Sequence, residues 1–291
     1  MKRGGVINLS NINFNFWKDI NFASDFTKKP ISDICKIIGI SPTTYYTNDN
    51  KVDKNVLEKL YSYIYNNSIR LNSIKEELLK ESYSGKILYH GSKFGLDDIK
   101  IETSRNNCDF GKGFYLGEMY DSALAFIADI PDSSVYSFKF NDKNDLQIKY
   151  FDTTLEWMLS ICAYRGIINQ YLELPIIQNI IKEVENADVI VAPIADNRMF
   201  NLMSEFADSM INADVALHTL SASNLGYQYV FKTEKALSFL QCEERYYISK
   251  PEREERLSLK GIRYVNMSAK YKMALKEYSV IPNRFIEDIL K

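Results

Sequence analysis

The run Gly85-Lys86-Ile87-Leu88-Tyr89-His90-Gly91-Ser92 divides the sequence in two. Before it, every periodic segment has helical spacing; from Lys86 onward, short runs of period-two alternation appear between helices. Residues 86–90 read as a strand that ends on a polar side chain, and Gly91 next to it lets the main chain come close to a neighbour. The boundary is placed near 81–85, which gives an all-helical, helix-turn-helix-like domain over 1–82 and a mixed domain over 83–291.

Upstream of that run, Ile31, Ile34, Cys35, Ile37 and Ile38 recur at helical spacing. Gly39 then stops the helix, and Ser41-Pro42 offers an N-cap with proline at the first helical position. A second amphipathic helix is expected over 55–80, with Leu57, Leu60, Tyr61, Ile64, Leu71, Ile74 and Leu78 on one broad face. Downstream, 134–140 alternates like a half-buried strand, 187–193 reads as a buried strand and 228–231 as a last short strand. Helices are expected over 121–130, two or three after Asp152, 199–222, and 234–240 with Thr233 as its cap. Residues 251–291 read as a charged connection and a closing helix. Strands and helices mix without regular βα alternation, so the fold class is α+β.

Bulk properties narrow the function classes. The 291 residues are 46% hydrophobic, enough for a buried core, and no run approaches the roughly 20 apolar residues of a membrane helix. With no signal core or presequence in the first residues, a cytoplasmic location is expected and no membrane partner. Four cysteines without a CxxC pair, and two histidines, argue against a zinc site or a disulfide framework. The formal charge of -2 gives no general argument for nucleic-acid binding. Residues 1–80 carry twelve Lys/Arg and eight Asp/Glu, a balance of +4 against -6 for the remainder.

Three stretches carry chemistry: Tyr89-His90-Gly91-Ser92, Gly111-Lys112-Gly113-Phe114-Tyr115-Leu116, and Gln228-Tyr229-Val230-Phe231-Lys232-Thr233-Glu234. Together they resemble the three consecutive motifs of the His-Tyr-Glu class of ADP-ribosyltransferases, which contains diphtheria toxin and the poly(ADP-ribose) polymerases. Residues 86–240 look more closely like a bacterial family allied to that class and labelled a domain of unknown function, in which Asp109 to Tyr115 and Ala195-Asp196-Asn197-Arg198 are typical. The resemblance covers about half the chain. It implies a split antiparallel sheet with helical insertions, NAD as co-substrate and no metal. It also implies transfer of ADP-ribose to an intracellular macromolecule, protein or nucleic acid, by a toxin, defence or regulatory enzyme; the alternatives are a catalytically weak or inactive NAD-binding sensor or interaction protein, and an NAD glycohydrolase.

Displacing nicotinamide leaves a cation-like ribose, so such a site needs partners for the ribose hydroxyls, a flat ring against nicotinamide and an acceptor near the developing charge. The resemblance makes His90 the ribose partner, Gly91 the main-chain partner of the carboxamide with Ser92 beside it, and Tyr115 the stacking ring. It puts Gln228 where active members usually have Glu. An amide oxygen still accepts a hydroxyl, but it carries no full charge and is no general base. Glu118 or Glu234 supplies the charge if the register differs. Ser122 is either a carboxamide contact or plain helix surface, and Asp196 and Arg198 are either a surface pair or contacts to NAD phosphates or the acceptor. His90, one of two histidines and placed before Gly-Ser, is read as a ligand rather than a polar strand end.

Two patterns mislead. Asp109-Phe110-Gly111 spells a kinase metal-binding triplet but lacks the kinase catalytic loop, and Gly111-Lys112-Gly113 lacks phosphate-loop spacing. The N-terminal helices resemble an Xre-like helix-turn-helix. The recognition-helix stretch Pro42-Thr43-Thr44-Tyr45-Tyr46-Thr47-Asn48 contains no Arg or Lys, which favours a docking module for an antitoxin or regulatory protein over DNA binding.

Overall fold

The computed structural model describes residues 13–47, 52–101, 104, 107–141, 145–195, 197–221, 225–282 and 284–291, and the side chains of these except 46, 47, 197, 198 and 260–265. The N-terminal part forms helices α1 (Phe16–Thr27), α2 (Ile31–Ile38), α3 (Pro42–Thr47), α4 (Lys54–Asn66) and α5 (Leu71–Ser82). Gly39 ends α2 at a φ of 83°, a left-handed conformation that suits glycine, and its N–H donates to the Cys35 carbonyl at 2.9 Å. Ser41 Oγ accepts from the Thr44 N–H at 3.1 Å, as the Ser-Pro start predicts. The single helix expected over 55–80 is instead two. Ser68 takes a φ of 62° between α4 and α5, and the apolar stripe runs on across the break and hides it.

From Lys86 the order is β1 (Lys86–Ser92), β2 (Phe114–Gly117), α6 (Tyr120–Ala125), β3 (Ser134–Phe140), β4 (Ile148–Tyr150), α7 (Leu155–Tyr164), α8 (Pro175–Asn186), β5 (Val189–Pro193), α9 (Asn197–Ala207), α10 (Ala213–Leu220), β6 (Tyr227–Phe231), α11 (Glu234–Leu237), β7 (Leu240–Tyr247), α12 (Lys250–Tyr278) and α13 (Ile286–Ile289). The α+β class holds. β6 is not the last strand, since β7 follows it. The helix expected over 199–222 divides into α9 and α10, where Ser209 takes a φ of 55° and Asn212 Oδ1 caps α10 on the Val215 N–H at 3.0 Å. Thr233 caps α11 through the Ala236 N–H at 3.1 Å, but that helix stops at Leu237.

The strands make one seven-stranded sheet in the order β4-β5-β6-β2-β1-β3-β7. It is mixed rather than purely antiparallel, which corrects the expectation. β4 and β5 are joined through α7 and α8, and a helical crossover returns the chain in the same direction, so these two strands pair parallel. The other pairings are antiparallel. β1 and β2 meet at a single registered pair, Tyr89 with Gly117, whereas β1 pairs with β3 along seven residues. The sheet is therefore narrowest between the two strands that carry His90 and Tyr115.

Alternation along the strands sends side chains to cores on both faces of the sheet. On one face Ile190, Ala192 and Val230 pack with Trp157, Met203 and Phe206 of α7 and α9. On the other, Leu88, Phe114, Phe138 and Phe231 pack with Leu237 of α11. A separate core, around Ile20, Ile34, Leu60 and Ile64, belongs to the N-terminal helices. Those helices seat on β7: Tyr61 stacks on Tyr247 at 4.9 Å, and half-buried Lys75 binds both Asp19 (2.7 Å) and Glu244 (2.6 Å). No helix among the described residues is long and apolar enough to cross a membrane.

Candidate functional site

Where the sheet narrows, a cleft of about 520 Å³ opens between β1, β2, α6 and the loop before β2. His90, Gly91, Tyr115, Ser122 and Gln228, all singled out in the sequence, line it together with Asp109 and Arg165. Residues 90 and 228 lie far apart in sequence. The antiparallel pairs Tyr89 with Gly117 and Gly117 with Gln228 bring their strands to the same place.

His90 is half-buried. Its ring stacks on Phe114 at 4.7 Å, and Nδ1 lies 2.8 Å from the Tyr115 carbonyl oxygen. A carbonyl only accepts, so Nδ1 carries the proton and donates, and Nε2 is left as an acceptor. Burial pushes the imidazole's pKa below its ordinary value, against the opposing pull of the Tyr115 carbonyl, so the neutral form is favoured.

Tyr115 is tied at its hydroxyl, which accepts from the Phe110 N–H (3.1 Å) and donates to the Gly111 carbonyl (2.7 Å). Those bonds hold the loop 108–113 against the ring. Gly91 has a packing reason of its own. A Cβ there would lie 2.5 Å from the Ala123 carbonyl oxygen, so only glycine lets α6 lie this close to β1. Ser122 is buried, and its hydroxyl donates to the Leu225 carbonyl at 2.5 Å. Ser92 does not line the cleft; its hydroxyl turns back to the Gly95 carbonyl.

Gln228 is 6% exposed. Its Nε2 donates to Asp109 Oδ2 at 2.9 Å and to the Pro193 carbonyl at 3.2 Å. Asp109, 4% exposed, accepts on Oδ1 from Arg165 Nε (3.0 Å) and Nη2 (2.6 Å), and the Arg165 guanidinium lies 4.1 Å from the centre of the Phe200 ring. Sequence reasoning missed both Asp109 and Arg165. Asp109 stood inside a triplet dismissed for lacking kinase context, and its partner is 119 positions away. The signal that marked it was its place just ahead of Gly-Lys-Gly-Phe-Tyr.

Neither alternative acid enters the cleft. Glu118 accepts from the Tyr227 N–H at 2.9 Å, and Glu234 is exposed in the first turn of α11. Asp196 and the side chain of Arg198 lie outside the described residues. Cys35 and Cys162 are buried and Cys108 and Cys242 half-buried. Among the described residues no cluster of His, Cys, Asp or Glu is arranged to hold a metal.

Fold and site thus define an α+β protein with a cleft at the narrowing of a mixed sheet, walled by a histidine, a tyrosine and a hydrogen-bonded Gln–Asp–Arg chain. Residues 86–242 match the model of DUF3990, described as a protein of unknown function, and the chain belongs to that family. Searches among curated proteins and among solved structures return no match.

Proposed function

We propose that the chain is an NAD-dependent mono-ADP-ribosyltransferase built on an ADP-ribosyltransferase-like fold, acting on a macromolecule in the cytoplasm of a bacterial cell as a toxin, defence or regulatory enzyme. The observation that carries this reading is the convergence of His90, Tyr115 and Gln228, one from each of the three resembling motifs, on one cleft. A volume of about 520 Å³ falls inside the range of roughly 300–1,000 Å³ usual for small-molecule sites, and it has room for nicotinamide and its ribose.

In the reaction, the bond between ribose C1′ and the nicotinamide nitrogen breaks, and its electron pair neutralises the ring nitrogen. A nucleophile on the acceptor bonds to C1′ and loses its proton. The chain's contribution is to hold. His90 Nε2 accepts from a ribose hydroxyl, the Tyr115 ring lies against nicotinamide, and the Gln228 oxygen accepts a second hydroxyl. The N-terminal helices are the docking module for a regulatory or antitoxin protein; the absence of Arg and Lys from residues 42–48 favours that role over DNA binding.

A second reading, an NAD-binding sensor without transfer, is favoured by one observation. The buried carboxylate of the site, Asp109, is already engaged by Arg165 and Gln228. Calorimetry with NAD, followed by assay of released nicotinamide, separates the two. Binding with release supports the transferase, binding without release under any lysate condition supports the sensor, and no binding removes both.

A further inference from the structure

The Gln228 amide has two neighbours within hydrogen-bond reach, a carboxylate oxygen of Asp109 and the Pro193 carbonyl, and both only accept. Its nitrogen must therefore face them. The amide oxygen, which has no partner among the described residues, is turned the other way, and Gln228 lines the cleft. We propose that Asp109 is a positioning residue that locks the Gln228 amide with its oxygen toward the cleft, so that the cleft offers a ribose two fixed acceptors, Gln228 Oε1 and His90 Nε2. This rests on the NAD reading above.

The charge of Asp109 does more than orient. A carboxylate bonded to an amide N–H polarises the amide and raises the electron density on its oxygen. Gln228 thereby gains part of what a Glu at the same place would supply. Arg165, bonded to the other carboxylate oxygen and packed on Phe200, holds Asp109 in place. The missing negative charge of the third motif is thus displaced by one hydrogen bond and lies behind the amide.

This arrangement predicts the opposite of what motif comparison alone suggests for Gln228→Glu. A Glu at 228 would set a second carboxylate about 2.9 Å from Asp109 Oδ2, the distance now spanned by the donor nitrogen. Asp109→Asn fails differently. With the Asn oxygen held by Arg165, its nitrogen meets the Gln228 nitrogen, and the glutamine turns over and offers a donor to the cleft. The pair Asp109→Asn with Gln228→Glu restores donor against acceptor between the two side chains and keeps the net charge, while the Pro193 carbonyl loses its donor.

The test compares these four proteins, full chain, by thermal melting and by nicotinamide release from NAD across pH 5–8. Each single variant is expected to melt lower and to lose at least tenfold in kcat. The Gln228→Glu variant should regain activity as pH falls and one carboxyl protonates, and the double variant should melt higher and turn over faster than either single variant. Single losses that simply add in the double variant overturn the proposal. So does a Gln228→Glu variant that matches or exceeds the parent at pH 7.5, or a double variant that melts higher than either single variant but turns over no faster. If the parent itself releases no nicotinamide, the transferase reading falls, and the melting pattern alone still decides whether Asp109 holds the amide.

Discussion

Glu252 provides a stability switch whose size follows from its surroundings. It sits half-buried in the first turn of α12, where Tyr120 Oη donates to its carboxylate at 2.8 Å and the amide of buried Asn72 at 3.1–3.2 Å. Arg256 bonds Asp121 at 3.0 Å. Desolvation pushes the Glu252 carboxyl up to about 7 from an ordinary 4.5, and the Asp121 charge adds to the push. A raised acid binds protons in the folded state that the unfolded chain has already released. Its contribution is thus complete below pH 4.5 and is lost as pH climbs through about 7. At about 1.4 kcal/mol per unit the full shift corresponds to roughly 3 kcal/mol, and partial exposure brings this to about 1–3 kcal/mol. The assay is urea unfolding at half-unit steps from pH 5 to 8 for the parent and for Glu252→Gln, which cannot ionise. The parent's stability should fall relative to the variant over that window. Two curves that stay parallel refute the reasoning.

Two further perturbations follow from packing. Lys75→Met leaves Asp19, 1% exposed, and Glu244 as uncompensated carboxylates, and should cost about 3–5 kcal/mol in urea unfolding; a loss under about 1 kcal/mol contradicts it. Gly91→Ala puts a methyl group against the Ala123 carbonyl, so α6 must move, stability should drop by about 1–3 kcal/mol, and nicotinamide release should fall with it because Ser122 and Ala123 line the cleft. An alanine variant with parental melting and release would show that the close approach is not required.

Legibility followed locality. The Ile-Gly-Ile-Ser-Pro turn, β1, β3, β5 and β6 announce themselves through caps and alternation that lie within a few residues. β7 escaped because Glu243, Glu244 and Arg245 interrupt its apolar pattern. It is an edge strand whose charged side chains pair with Lys139, Lys75 and Ser134 instead of entering a core. β4, three residues of half-exposed sequence, is a strand only because β5 lies beside it. The site divides in the same way. His90, Tyr115 and Gln228 were visible as motif positions, whereas the Asp109–Arg165 pair is made by loop and helix meeting across 56 positions, and no pattern within either segment encodes that meeting.

On the proposed reading, the cleft is where NAD releases nicotinamide and passes ADP-ribose to an acceptor. Incubation of the purified chain and of its His90→Ala variant with NAD labelled in the adenylate half, in whole-cell lysate, tests that most directly. Protease or nuclease digestion of the product then identifies what carries the label. The expected result is label on a macromolecule with the parent, matched by released nicotinamide, and a loss of at least tenfold with His90→Ala while the variant still melts cooperatively. Equal labelling by both proteins, or no nicotinamide released by either, contradicts it.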